Sequence, residues 1–133
     1  MNSLRTIGLI MALFVFSSCQ GKPVAEQDLV GIYKFESPNS NGTLELRGDG
    51  SYIQKLTTRS GATKEAKGEW RYQPPLGGSV NRGTVRILGA IREREDKLEQ
   101  VDPTFSVALS VYSSGSKLSL YASPDGNESY VKQ

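Results

Sequence analysis

Residues Thr104–Ser113 read TFSVALSVYS. Phe105, Val107, Leu109 and Val111 alternate with Ser106, Ala108 and Ser110. Successive side chains of an extended chain point to opposite faces. The segment is therefore a strand with one apolar face and one small, polar face; a helix would scatter the same residues around its axis. Downstream, Ser114-Gly115 is a turn and Lys117–Ala122 a returning strand that carries Leu118 and Leu120 on one side. Ser123-Pro124-Asp125-Gly126 has the residues a tight turn prefers, in their preferred order. Glu128–Lys132 then closes the chain as a short strand.

Upstream the period of two persists. Thr84–Ile91 places Val85 and Ile87 together, and Lys67–Gln73 sets Trp70 and Tyr72 against Glu69, Arg71 and Gln73. Pro74-Pro75 ends that strand, because proline donates no ladder hydrogen bond, and a glycine-rich loop runs on to Gly83. Ser51–Thr58 and Thr43–Arg47 flank Gly48-Asp49-Gly50, a hairpin turn in which glycine accepts positive φ. Arg59–Ala66, with Ser60-Gly61, reads as a further turn. Pro38–Gly42 reads as a loop with Asn41-Gly42 as its turn signal, preceded by a first strand at Leu29–Glu36. Eight short strands with short connections predict an all-β fold: a small antiparallel up-and-down barrel, closed so that no strand edge is left for aggregation. The inward set is Leu44, Leu46, Val85, Ile87, Phe105, Val107, Leu109, Val111, Leu118 and Leu120. Arg92–Gln100, REREDKLEQ, interrupts the pattern. Leu88, Ile91, Glu95 and Leu98 stand at helical spacing, which predicts a short mid-chain helical turn or loop; the alternating charges also suit an exposed extension of two strands.

The 133 residues suffice for one domain. Sixteen basic against fourteen acidic residues give a net charge of +2, which excludes a polyanion binder on bulk charge, and no nucleic-acid partner is expected. Histidine is absent and cysteine occurs once. These counts remove an intramolecular disulfide, a Ser-His catalytic pair and a histidine or cysteine-rich metal site. No glycine loop precedes a helix in the way phosphate binding needs. Neither catalysis nor a cofactor or metal is expected. The carboxylates of Arg92–Asp102 lack the ligand spacing of a calcium loop and read as a solvated charged face.

The N-terminus reads as an address. Arg5 precedes the ten-residue apolar run Ile7–Phe16, too short to span a bilayer but of signal-peptide length. Phe16-Ser17-Ser18-Cys19 resembles a bacterial lipobox, in which the cysteine is diacylglyceryl-modified, becomes the mature N-terminus and is acylated on nitrogen; Phe16 replaces the usual leucine. The resemblance implies a signal peptide over 1–18, a lipid attachment at Cys19 that partners the membrane, and a location in the bacterial cell envelope. Gln20 after the cysteine is similar to outer-membrane sorting. Residues 19–28 are then a polar tether and 29–133 the barrel domain.

Leu29-Val30-Gly31-Ile32-Tyr33, Thr43-Leu44-Glu45-Leu46, Asp49-Gly50-Ser51-Tyr52 and Gly68-Glu69-Trp70, in that order, resemble the small bacterial lipocalin-like lipoproteins. The likeness covers under half the chain, and the second half carries no signature of the family. It implies a lipocalin-like barrel, with Gly31 and Gly68 making room for the large aromatics beside them. Such families share no ligand residues to carry over. The chain's own aromatics supply the ligand-binding candidates: Tyr33, Tyr52, Trp70 and Tyr72 would line one barrel mouth and grip a small apolar or amphipathic molecule. The alternative is a barrel filled by its own side chains, which the eight-strand diameter permits, serving as an interaction module, an accessory subunit or inhibitor of an envelope enzyme.

Overall fold

The computed structural model describes residues 24–76, 83–122 and 128–133. The segment read as a signal peptide, Cys19, residues 77–82 of the stretch read as a glycine-rich loop and residues 123–127, read as a turn, lie outside them.

Among the described residues a single helical turn, α1 (Glu26–Leu29), precedes ten strands. Eight of these close an antiparallel barrel: β1 (Gly31–Glu36), β2 (Ser40–Leu46), β3 (Ser51–Thr58), β4 (Thr63–Gln73), β5 (Thr84–Leu88), β8 (Ser106–Ser114), β9 (Lys117–Tyr121) and β10 (Ser129–Lys132). Each pairs with its neighbour in the sequence once β6 (Ile91–Arg94) and β7 (Lys97–Gln100) are set aside, and β10 returns to β1 through Tyr33 opposite Lys132 and Phe35 opposite Tyr130. The up-and-down barrel expected from the alternation is the observed architecture. β4 is shared along its length: Thr63–Glu69 pair with β3, Trp70–Gln73 with β5. This stagger is the tilt that lets eight strands close.

The interior follows the period of two. Leu44, Leu46, Val85, Ile87, Leu109, Val111, Leu118 and Leu120 are buried, together with Tyr33, Tyr52, Leu56 and Trp70. Phe35 and Tyr130, opposite each other across the closing ladder, stack with ring centroids 4.6 Å apart. Val107 is half-buried against this core.

Four expectations are corrected. First, Phe105 is 65% exposed. The β5–β8 ladder ends at Leu88 opposite Ser106, so Phe105 lies where the chain leaves the barrel wall and alternation no longer aims it inward. Second, Asn41-Gly42 is not a turn but part of β2; the bend sits at Ser37–Asn39, where the Ser37 hydroxyl accepts from the Ser40 amide. Gly42 is needed for close approach, since a Cβ there would overlap the Lys55 carbonyl oxygen of β3. Third, β4 begins at Thr63, four residues before the expected strand, because the turn after β3 is only Arg59–Ala62, closed by the Thr58 amide on the Ala62 carbonyl at 2.8 Å.

Fourth, 91–100 is a β-hairpin and not a helical turn or loop. Arg94 pairs with Lys97 across a two-residue turn in which Glu95 and Asp96 both have positive φ, 50° and 61°. Such turns match strand twist but usually advertise themselves through Asn-Gly or Asp-Gly. Here the Glu93 carboxylate accepts from the Asp96 amide at 2.9 Å and supports a turn that its residue types do not announce.

Candidate functional site

The four aromatics singled out from the sequence all point into the barrel, and the first question is what their polar atoms meet. Tyr33, opposite Leu44, donates its hydroxyl to the Leu29 carbonyl at 2.7 Å. Tyr52, opposite Leu46 and Gly68, donates to the Leu88 carbonyl at 2.6 Å. Trp70, opposite Ile87, donates its indole N–H to the Arg47 carbonyl at 2.9 Å. Tyr72, opposite Val85 and half-buried, donates to the Val24 carbonyl at 2.8 Å. Each acceptor belongs to a segment that closes the barrel: the N-terminal turn, the β2–β3 hairpin, or the point where β5 leaves the wall. A buried phenol or indole must find a partner, and these four find theirs in main-chain carbonyls.

The N-terminal turn is short and well tied. The Asp28 carboxylate accepts from the Ala25 amide at 3.0 Å, Leu29 is completely buried and Val24 packs against the core. The Lys132 ammonium donates to the Asp28 carbonyl at 2.6 Å. What reads as the last part of a tether is thus seated on the barrel end. Midway along β4, Gly68 makes room for the ring across the ladder and not for Trp70: a Cβ would stand 3.0 Å from Tyr52 Cε1 and 2.9 Å from the Leu88 oxygen.

Burial governs the acidity of these groups, because an ionised phenolate would lose its water. It pushes Tyr33 far above the usual phenol range and Tyr52 up to about 12. Tyr72 is raised by burial and then by the Asp28 carboxylate. The phenols stay neutral at physiological pH and act as hydrogen-bond donors to main-chain carbonyls. Among the described residues there is no cluster of three or more His, Cys, Asp or Glu side chains able to hold a metal ion.

A second polar group lies towards the opposite end, and sequence reasoning missed it. Gln54 is buried on the inward face of β3 between Leu44 and Ala66. Its Oε1 accepts from the Ile91 amide at 2.7 Å; its Nε2 donates to the Tyr130 hydroxyl at 2.8 Å and, more weakly, to the Ile91 carbonyl at 3.4 Å. The side-chain amide takes the place of a neighbouring strand for Ile91. The chain turns off the wall at Gly89, whose φ of 70° suits glycine. Ala90 and Ile91 are buried, and the β6–β7 hairpin packs against β3 and β4. The signal was available: Gln54 is a polar residue in the apolar phase of its strand, and a buried amide demands partners. Burial also lifts the Tyr130 hydroxyl to about 12, partly opposed by the Gln54 hydrogen bond.

The outer wall carries Ile32 and Tyr112, each about half exposed, with Tyr112 edge-on to Tyr121 at 5.7 Å. Leu76, just beyond β4, is 82% exposed. No family model, curated protein or solved structure matches the chain.

Proposed function

We propose that the chain is a lipid-anchored lipoprotein of the bacterial envelope, lipocalin-like in architecture and without catalytic activity, whose barrel is a filled scaffold and whose binding is done by its exterior. The partner is another envelope protein. One observation carries this reading over a cavity that grips a small apolar molecule. The polar atoms of Tyr33, Tyr52, Trp70 and Tyr72, the groups that would orient a ligand, are each committed to a main-chain carbonyl of the same chain. Among the described residues every buried side-chain nitrogen and oxygen has a partner. A site that selects ligands keeps a few convergent polar groups for them; the described interior spends its own on closure. Large apolar side chains are meanwhile displayed outside, at Ile32, Phe105 and Tyr112.

Trp70, the sole tryptophan, tests this reading. Titration of the soluble domain starting at Gln20 with a hydrophobic fluorescent probe should leave the emission of Trp70 unchanged. Saturable quenching together with a blue shift would overturn the filled-scaffold reading. Native mass spectrometry of the same protein from its own host should show the bare chain or a protein complex, and no small-molecule adduct. The anchor is tested separately: Cys19→Ala should move the protein from the membrane to the soluble fraction.

A second reading keeps the small apolar or amphipathic ligand but moves it beneath the β6–β7 hairpin. Its support is that Gln54 ties Ile91 into the barrel just after the bend at Gly89. On that reading Gln54→Leu should increase probe uptake.

A further inference from the structure

Three hydrogen bonds from three strands pin the N-terminal segment across one end of the barrel. Tyr72 of β4 holds the Val24 carbonyl, Tyr33 of β1 holds that of Leu29, and Lys132 of β10 holds that of Asp28. The consequence is a short leash. Residues 24–28 are taken out of the tether, and the first pinned carbonyl, that of Val24, is only the fifth residue after Cys19. At ~3.3–3.6 Å per residue this stretch reaches no more than about 18 Å. The eleven residues of β4 alone, fully extended, span about twice that.

The barrel ends differ in what they present. The end with the N-terminal segment also carries the Arg47–Gly50 turn, the Ser114–Lys117 turn and the exit of β4 into Pro74, Pro75 and Leu76. Leu76 is the most exposed large apolar side chain among the described residues. The opposite end carries the Ser37–Asn39 and Arg59–Ala62 turns and the charged β6–β7 hairpin.

We infer that the end bearing Val24–Leu29 and Leu76 docks on the phospholipid surface, with Leu76 entering the boundary between headgroups and acyl chains, and that the β6–β7 hairpin is held on the far side, facing away. This rests on the acylation of Cys19 proposed above. The occupant is lipid because the leash keeps this end, and not the other, beside the bilayer. A single leucine binds lipid weakly by itself, but as a second contact beside an acyl anchor it fixes orientation, since stable membrane attachment is built from paired signals.

The test uses the mature acylated protein, in which the Cys19 thiol is blocked, with one cysteine introduced at Leu76, Ile32 or Asp96. Each variant is labelled with a nitrobenzoxadiazole dye and reconstituted into vesicles of phosphatidylethanolamine and phosphatidylglycerol that contain a lipid spin-labelled near the headgroup. Docked apolar groups sit about 5–10 Å into that boundary. The expected result is strong quenching for Leu76→Cys, several times that for Asp96→Cys, with Ile32→Cys between them. Equal quenching at all three positions, or strongest quenching at Ile32 or Asp96, overturns the orientation. Vesicle flotation of the same samples separates the two layers of the argument. Protein that floats without Leu76 quenching refutes the docked end alone, as would be seen were a protein partner to cover it. Protein that fails to float refutes the acyl anchor, and the docking falls with it.

Discussion

Replacing Gln54 with Leu removes a side chain that bridges β3, the β6–β7 hairpin and Tyr130, while keeping nearly the same volume. The Ile91 amide, buried and served by Gln54 Oε1 at 2.7 Å, is left without an acceptor, and an orphaned buried donor costs about 1–3 kcal/mol. The Tyr130 hydroxyl loses the amide that donates to it at 2.8 Å, worth roughly 0.5–1.5 kcal/mol net. Against this, leucine brings added apolar burial, which offsets about 1 kcal/mol. The expected net loss is about 2 kcal/mol, or a fall in Tm of roughly 8 °C at about 4 °C per kcal/mol for a domain of this size. Urea unfolding followed by Trp70 fluorescence measures the global term. Amide exchange at Ile91, with tryptic cleavage at Arg92, Arg94 and Lys97, reads the local one. Both should rise sharply, because the hairpin loses its tie to the interior. A loss no larger than about 0.5 kcal/mol, the range of an ordinary surface change, with unchanged exchange at Ile91, would refute the bridging role.

Other outcomes follow from the same geometry. Gly68→Ala forces a Cβ against the Leu88 carbonyl and the Tyr52 ring, and should cost about 1–3 kcal/mol in urea unfolding; a neutral result would mean that β5 yields freely there. Tyr33→Phe leaves the Leu29 carbonyl without its donor and should cost about 1–3 kcal/mol, more than Tyr72→Phe, whose site is half open to water; the reverse order would contradict the pinning of the N-terminal turn. Tyr52 and Tyr130 hold their protons to about pH 12 in the folded protein, against 10.0 for a free phenol. The unfolded chain therefore loses those protons first, so the contribution of these two phenols to stability is constant below pH 10 and falls as pH rises from there to about 12. For Tyr130 alone the slope is about 1.4 kcal/mol per pH unit. Urea midpoints that match at about pH 9 and about pH 11 would show these phenols to be solvated.

The alternation around Thr104–Ser113 and its counterparts was enough, without coordinates, to determine eight strands, their antiparallel order and most of the inward face. Binary patterning works here because a strand buried on one face is constrained at every second residue. The same logic carried Trp70 and the three tyrosines inward. It failed at particular places for particular reasons. Phe105 continues the apolar phase of β8, yet the ladder that would turn it inward ends one residue later, and ladder length is settled by the partner strand. Asn41-Gly42 has the composition of a turn, but its glycine answers to a carbonyl of β3 that only the closed barrel brings near. The β6–β7 turn uses Glu95 and Asp96, so no turn residue announced it.

What the sequence by itself determined was therefore local and periodic: the strands and the phase of their side chains. What only the tertiary structure decided was pairing over distance. Four aromatic donors and one glutamine amide meet main-chain atoms of Leu29, Leu88, Arg47, Val24 and Ile91. A carbonyl or amide is present on every residue, so no residue type marks which one a buried side chain will reach. Closure of the barrel makes that choice, and with it gives each of these aromatics its main-chain acceptor.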